Sequence, residues 1–188
     1  MPVRFRHDQQ NNSLYFVTFT CFKWKRLFDL SDAWNSPYKW FDALFSRGIR
    51  VTAYVVMPNH VHSLLFFPKM PKPLNTIIGN GKRFIAYDII AGLKERKQVA
   101  LLEELHCYVK KNEKRKGQRH KVFNNSFDAK ECRSREFITQ KLDYIHRNPV
   151  SKRWHLVNDY TEYLYSSASF YEKGIKHYEK LLHVAEVW

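Results

Sequence analysis

The sequence has few cysteines, few acidic residues and no long apolar stretch. Its three cysteines, in a chain of 188 residues, are too sparse for a disulfide framework or a zinc ribbon, and they suit a reducing compartment. No apolar run approaches the roughly 20 residues that span a bilayer, and the first residues carry no signal-peptide core. We therefore expect a soluble, cytoplasmic protein with no membrane partner.

The shortage of acidic residues leaves a large positive charge. Lys and Arg number 32 and Asp and Glu 18, so the formal net charge is +14. A polyanion is the natural partner of such a surface, and nucleic acid is the commonest one; a merely soluble basic protein is the alternative. The 44% of hydrophobic residues is enough for a core, which excludes a largely disordered chain.

Several catalytic signatures are also missing. The sequence contains no Walker-type loop, no Gly-x-Ser-x-Gly, no Cys-x-x-Cys and no obvious pair of carboxylates. The ATPase, triad-hydrolase and thiol-redox classes therefore have no support.

Three segments rich in aromatic and β-branched residues predict strands, at 14–20, 50–57 and 60–67. The turn signal Pro58-Asn59 stands between the second and the third, so these two strands should form a hairpin.

Apolar residues recur at helical spacing in three other segments, which predicts helices over 31–47, 74–93 and 134–147. Ser31 and Ser134 begin the first and the last of these helices and are suitable N-caps.

The remaining segments complete the expected fold. The charge-dense stretch 94–121 reads as a helix end followed by a basic loop, and 122–128 as a short strand. The order of elements predicts an α+β fold of the split β-α-β type: a ferredoxin-like antiparallel sheet with helices on one face, plus a further C-terminal helix. We expect a single domain over 1–188, with a core at about 14–150 and a C-terminal extension at 151–188.

The pair His60 and His62 is the first candidate site. Residues i and i+2 of a strand point to the same face, so the two imidazoles could share one divalent cation. Pro58-Asn59 puts them at the beginning of a strand, which we expect near a sheet edge that a substrate can reach. On spacing alone, two histidines without a metal remain an equal alternative.

Tyr144 and Asn148 are the second candidate site, because they lie one turn apart on one face of a helix. The phenol could attack a phosphodiester, and the amide oxygen could join the two histidines around a metal. The alternative is a core tyrosine and a helix-terminal asparagine. His146 faces another side of the helix and is better explained as a structural histidine.

Basic residues form the third feature, and their expected role is to neutralise DNA phosphates without reading bases. For any single run the alternative is a solvated face. The residues that we expect to bind DNA are Lys82, Arg83, Lys110, Lys111, Lys114, Arg115, Lys152 and Arg153.

Three stretches of the chain resemble a known family. They are LYFVTFTCFKWKRLF (14–28), AYVVMPNHVHSLLFF (53–67) and QKLDYIHRNPVSKRWHLVNDYTEYLYSSASFY (140–171). In this order they resemble the IS200-like and REP-associated tyrosine transposases of the HUH class. In the last stretch the resemblance rests on Tyr-Ile-His-x-Asn-Pro-Val followed by Tyr-Ser-Ser-Ala.

The resemblance implies a ferredoxin-like fold and a single-stranded or hairpin-forming DNA substrate. It also implies Mg²⁺ or Mn²⁺ held by His60 and His62, with Tyr144 as a nucleophile on the C-terminal helix. Asn148 stands where relatives place a polar side chain, often Gln, and is the expected third ligand. The region 98–133 matches the family poorly.

The expected activity is metal-dependent cleavage and rejoining of single-stranded DNA through a 5′-phosphotyrosine. Two alternatives stay open. One is a host-adopted DNA-binding protein of the same fold with little or no catalysis. The other is a metal nuclease that uses water, in which Tyr144 is structural. The sequence leaves the DNA target and the choice between monomer and homodimer undecided.

Overall fold

A four-stranded antiparallel sheet organises residues 11–187, the part of the chain that the computed structural model describes. Its strands run in the order β2-β3-β1-β4. They are Ser13–Thr20 (β1), Arg50–Met57 (β2), His60–Phe67 (β3) and Asp128–Glu131 (β4). This is the strand order of the ferredoxin-like fold, so the predicted fold class is confirmed. The ends of the predicted domain, residues 1–10 and 188, lie outside the described residues.

The first three strands and the hairpin are where the sequence predicted them, with Met57 paired to His60 across the turn. The fourth is not. The predicted strand 122–128 is wrong, because residues 122–127 make only an isolated bridge, from Phe123 to Cys21. The carbonyl oxygens of residues 124–126 accept hydrogen bonds from Nζ of Lys82 (2.7, 3.3 and 3.2 Å). The ladder with β1 begins only at Asp128.

Helices cover the first face of the sheet. They are Leu27–Ser31 (α1), Ser36–Phe45 (α2), Leu74–Glu95 (α3) and Val99–Cys107 (α4). Their apolar residues, among them Phe28, Phe41, Ile85 and Leu105, form the larger core with Tyr15, Val17, Val61 and Leu65 of the strands. Within residues 11–187, no helix is long and apolar enough to cross a membrane.

The predicted helix 31–47 is two helices. Asp32 follows α1 in the left-handed conformation (φ 57°), so Ser31 ends a helix and does not cap one. The second helix starts after Asn35, with Pro37 in its first turn, where a missing N–H costs nothing. The predicted helix 74–93 is confirmed as α3.

A glycine lets α3 lie close to α2. A Cβ added at Gly81 would stand 2.4 Å from the Trp40 ring, so only glycine fits beneath that indole. The loss of helix propensity, about 1 kcal/mol, is offset by this close packing.

The second face of the sheet is covered by the helix that bears Tyr144, Arg135–Arg147 (α6). Oγ of Ser134 accepts a hydrogen bond from N of Phe137 at 3.2 Å, which confirms the predicted N-cap. Ile138 and Ile145 pack on the even-numbered residues of β1. The helices therefore lie on both faces, with the tyrosine-bearing helix on the face opposite to α1–α4.

The C-terminal extension covers the free edge of β2. N of Val56 donates to O of Tyr165 at 2.8 Å, and N of Ser167 donates to O of Tyr54 at 3.0 Å. After this short ladder comes the last α-helix, Ala168–Lys173 (α7). The outer edge of β2 is thereby protected from pairing with other chains.

The basic segment after α3 is more ordered than the sequence predicted. After α4, a four-residue helix, Lys111–Lys114 (α5), contains Glu113. Its carboxylate forms a buried ion pair with Lys121 and accepts from Nδ2 of Asn125 at 3.0 Å. Desolvation alone would raise the pKa of Glu113, but the hydrogen bond from Lys121, with those from the Lys110 backbone and Asn125, lowers it to about 2.

Replacement of Glu113 by Gln should lower the free energy of unfolding near neutral pH by about 1–3 kcal/mol, because the Lys121 ammonium loses its charged partner. The folded-state pKa is depressed, so the wild-type stabilisation is present above the ordinary carboxylate range and is lost as the pH falls toward 2. Urea unfolding of both proteins over descending pH should show the gap closing. A gap that is constant with pH would contradict this account.

Candidate active site

His60 and His62 begin β3 and point toward α6. The strand is an inner one, between β2 and β1, so the expectation of a site near the sheet edge is wrong. Both side chains are only 4% exposed.

Asn59 fixes the tautomer of His60. Its Nδ2 donates to the carbonyl oxygen of Trp24 at 2.9 Å, so Oδ1 is the atom that faces the imidazole. Oδ1 can only accept, and it lies 2.6 Å from Nδ1 of His60, which must therefore carry the proton. The lone pair of His60 is left on Nε2.

Thr18 plays the corresponding part for His62. Its Oγ1 lies 2.6 Å from Nδ1 of His62, directly across the ladder from β1. Nε2 of His62 is buried without a hydrogen-bond partner. Metal-bound histidines are commonly held in this way, with one ring nitrogen bonded to the protein and the other free.

Both imidazoles are neutral near pH 7. Burial, with a smaller contribution from the charge of Arg153, lowers the pKa of His60 to about 4, although the nearby Asn148 amide opposes the shift. Burial also lowers the pKa of His62 well below its ordinary value, helped by His60 and Lys141. A metal would thus meet little competition from protons for these nitrogens.

The helix α6 brings the other two predicted residues to the histidines. The Tyr144 ring lies 5.0 Å from the His62 ring between centroids, and 49% of the residue is exposed. Asn148, at the helix end, is buried, and its Oδ1 has no hydrogen-bond partner. The four residues that the sequence predicted for chemistry therefore meet at one place.

The donor set fits a divalent cation. Nε2 of His62 and Oδ1 of Asn148 are buried polar atoms without partners, which is costly unless something binds them. Within residues 11–187 no group of three or more His, Cys, Asp and Glu side chains could hold a metal, so a third protein donor here is of another type, and the unpartnered Oδ1 of Asn148 can serve. Imidazole nitrogens with an amide oxygen suit a first-row ion such as Mn²⁺.

The fold resembles that of a REP-associated tyrosine transposase. The solved structure of that protein bound to a REP hairpin superposes on this chain with a TM-score of 0.59 and 15% sequence identity. The match covers 92% of this chain and 87% of the transposase. No family model and no curated protein sequence matches. At such low identity the likeness shows a common fold.

Lys141 and Trp24 also stand beside the site, and the sequence analysis did not predict them there. Nζ of Lys141 lies 5.7 Å from the centroid of the Tyr144 ring. Its position three residues before the tyrosine, on the same helical face, is a signal that could have revealed it. The half-exposed Trp24 ring lies 6.2 Å from His60 between centroids, and only the folded loop brings it there.

The backbone at Trp24 is unusual. Lys23 and Trp24 both adopt positive φ (52° and 57°), a conformation that non-glycine residues seldom take.

The guanidinium of Arg153 lies 4.8 Å from the Trp24 ring centroid, so this predicted DNA-binding residue does stand beside the site.

The other predicted DNA-binding residues are more scattered. Lys82 is largely buried and donates to backbone carbonyls, so its ammonium is occupied within the protein. Burial lowers its pKa to about 8, and nearby Lys121 lowers it further. The remaining predicted residues are exposed: Arg83, Lys110, Lys111, Lys114, Arg115 and Lys152. Lys110 is also the N-cap residue of α5.

His146 is structural in its contacts, as the sequence suggested. It is buried, and its Nε2 lies 2.9 Å from Oγ of Ser167 in the C-terminal extension. Burial lowers its pKa to about 4. Through Ser167, His146 links α6 to the segment that pairs with the edge of β2.

Replacement of Thr18 by Val should lower the affinity for Mn²⁺ by about 10–100-fold, because His62 loses the partner that orients its ring. Calorimetric titration with Mn²⁺ measures this. Thr52→Val, which removes another buried threonine hydroxyl of the sheet, is the matched control. Equal Mn²⁺ affinities in the two variants would speak against the metal site.

Proposed function

We propose that this protein is a metal-dependent single-tyrosine enzyme that cleaves and rejoins single-stranded DNA. The observation that carries the proposal is the placement of a half-exposed tyrosine against two neutral histidines. One of these histidines and a neighbouring amide each keep a buried polar atom without a partner. A core tyrosine would be covered, and this one is open to a substrate.

In the proposed reaction, the hydroxyl oxygen of Tyr144 attacks the phosphorus of a DNA phosphodiester in line with the leaving oxygen. The phenol gives up its proton to solvent, the bond from phosphorus to the 3′ oxygen breaks, and a proton from solvent restores that 3′-hydroxyl. The 5′ phosphate stays on the tyrosine. Mg²⁺ or Mn²⁺ held by His60, His62 and Asn148 would supply positive charge that stabilises the phosphate as charge develops on it. The ammonium group of Lys141 adds a further positive charge next to the Tyr144 phenol.

Because the phosphotyrosine ester keeps the energy of the broken bond, a 3′-hydroxyl from another strand can reverse the step. Cleavage and rejoining then need no nucleotide cofactor, which agrees with the absence of a phosphate-binding loop from the sequence.

The proposed substrate is DNA that is single-stranded or forms hairpins. The net charge of +14 supports a polyanionic partner. The neighbouring transposase structure is bound to a REP hairpin, and a shared fold makes a similar ligand a reasonable first choice.

The Tyr144→Phe variant should form no covalent adduct and no cleaved product, while binding single-stranded DNA normally. It loses one oxygen and keeps the ring, so the packing on Phe16 and His62 is retained. Labelled hairpin-bearing DNA and Mn²⁺ are incubated with each protein and resolved under denaturing conditions. Tyr160→Phe, which alters a tyrosine of the C-terminal extension, is the matched control and should behave as wild type.

The same gel, with a separate binding measurement by fluorescence anisotropy, separates the alternatives. Cleavage without an adduct would indicate a nuclease that uses water. Binding by anisotropy with neither product on the gel would indicate a DNA-binding protein. The double variant His60→Ala, His62→Ala should abolish cleavage and keep most of the DNA affinity. Asn148→Ala should be milder, because water can partly replace a lost ligand. Wild-type adduct formation by Tyr144→Phe would refute the proposal.

Affinity for single-stranded DNA should fall steeply with salt. Each phosphate that the protein neutralises releases counterions, with a log–log slope of roughly −0.7 per contact. Fluorescence anisotropy with a labelled oligothymidylate at several salt concentrations gives the slope. Salt-independent affinity would contradict binding dominated by the DNA backbone.

A further inference from the structure

A groove lies on the face of the sheet opposite to the candidate active site. It runs between α3 and residues 116–125, and its volume is about 740 Å³, within the range of about 300–1,000 Å³ typical of ligand pockets. Its lining contains five basic residues and no Asp or Glu: Lys82, Arg83, Lys94, Lys116 and Arg119.

Four of these cations are available to a ligand. Arg83, Lys94, Lys116 and Arg119 are exposed, and no ion pair links any of them to a carboxylate within residues 11–187. The fifth, Lys82, is occupied by backbone carbonyls. Unpaired charge of one sign, concentrated in a concave site, attracts an anionic ligand.

An aromatic side chain stands in the same groove. Tyr87 of α3 is 61% exposed, and Phe84, one turn earlier, is 53% exposed, with 6.2 Å between the ring centroids. The guanidinium of Arg83 lies 5.1 Å from the Phe84 ring. Exposed rings interleaved with unpaired cations are the combination that binds single-stranded nucleic acid, since bases stack on the rings while cations follow the phosphates.

The wall of the groove is held rigidly. The buried pair of Glu113 and Lys121 and the bonds from Lys82 to residues 124–126 hold the loop that faces α3. The only carboxylate in that network is already neutralised by Lys121. The shape and the positive charge of the groove are therefore built before any ligand arrives.

The groove is also connected to the end of the sheet where the candidate active site lies. O of Val122 accepts from N of Phe22 at 2.8 Å, and N of Asn124 donates to O of Thr20 at 3.0 Å. Thr20 is paired with His60 across the ladder. The wall of the groove is therefore bonded to the same end of the sheet that carries the histidines.

We infer that this groove binds a stretch of single-stranded DNA, as a second site that holds the substrate away from the bond to be cut. The inference rests on the proposed function for the identity of its ligand. Duplex DNA fits less well, because its bases are stacked on each other and cannot lie on Tyr87.

The first test measures base stacking in the absence of metal. Tyr87→Leu keeps an apolar side chain and removes the ring, so its affinity for a labelled oligothymidylate should fall by about fivefold or more. Its affinity for an abasic oligomer of the same length should stay unchanged. Equal losses for both oligomers, or no loss for either, would overturn the role of the ring.

The second test removes charge. The triple variant Arg83→Gln, Lys94→Gln, Arg119→Gln should weaken binding and reduce the salt slope by roughly 2, since each contact contributes about 0.7. The control is the triple variant Arg47→Gln, Lys69→Gln, Lys173→Gln, which removes three exposed cations that do not line the groove. Equal effects of the two triples would mean that only net charge matters, and would overturn the site.

A third measurement locates the DNA and separates this inference from the proposed activity. An oligothymidylate containing photoreactive 4-thiothymidine should cross-link to peptides from α3 and from 116–125. Cross-links confined to the peptides around Trp24 and Tyr144 would overturn the groove, even if the wild type forms the adduct. A wild type that cross-links in the groove yet forms no adduct would refute the proposed catalysis and leave the groove standing.

Discussion

The pairing register of β1 with β3 is the constraint on which the candidate site depends. It sets Thr18 opposite His62 and Thr20 opposite His60, with both histidines on the face that α6 covers. A shift of one residue would turn every side chain of β3 to the other face and put the imidazoles into the larger apolar core. The register is well determined because both faces of β3 are packed: Val61 and Leu65 belong to one core and Leu64 to the other.

Burying polar side chains on this face costs free energy unless their polar atoms find partners. Two neutral imidazoles and an amide withdrawn from water are tolerated only if their polar atoms are satisfied. Asn59 and Thr18 satisfy the Nδ1 atoms. The atoms left without partners point to a ligand outside the protein, and a cation would satisfy them. Tyr144 is the exception, since its ring stays half exposed where a substrate can reach it.

Local patterns were enough to predict the strands 14–20, 50–57 and 60–67, the helix that bears Tyr144 and the residues that meet beside it. Their spacings of two and four residues translate directly into shared faces of a strand or a helix. The failures came where tertiary contacts override local signals. The left-handed Asp32 divides one apolar stripe into two helices. The bonds from Lys82 keep residues 124–126 out of the ladder. The position of Trp24 beside His60 depends on a loop with two positive φ angles, which no propensity predicts.

The basic residues show why net charge alone cannot map a DNA surface. Lys82 and Lys121 count toward the +14, yet both are bonded inside the protein and shape a wall. Arg83, Lys94 and Arg119, in the same region, are exposed and carry no ion pair within residues 11–187. In the sequence these two groups look alike, because each is a Lys or Arg in a polar stretch. The fold separates them: the bonds of the first group order the wall that faces α3, and cations on an ordered backbone lose less entropy when they bind an anion than the same charges on a disordered loop.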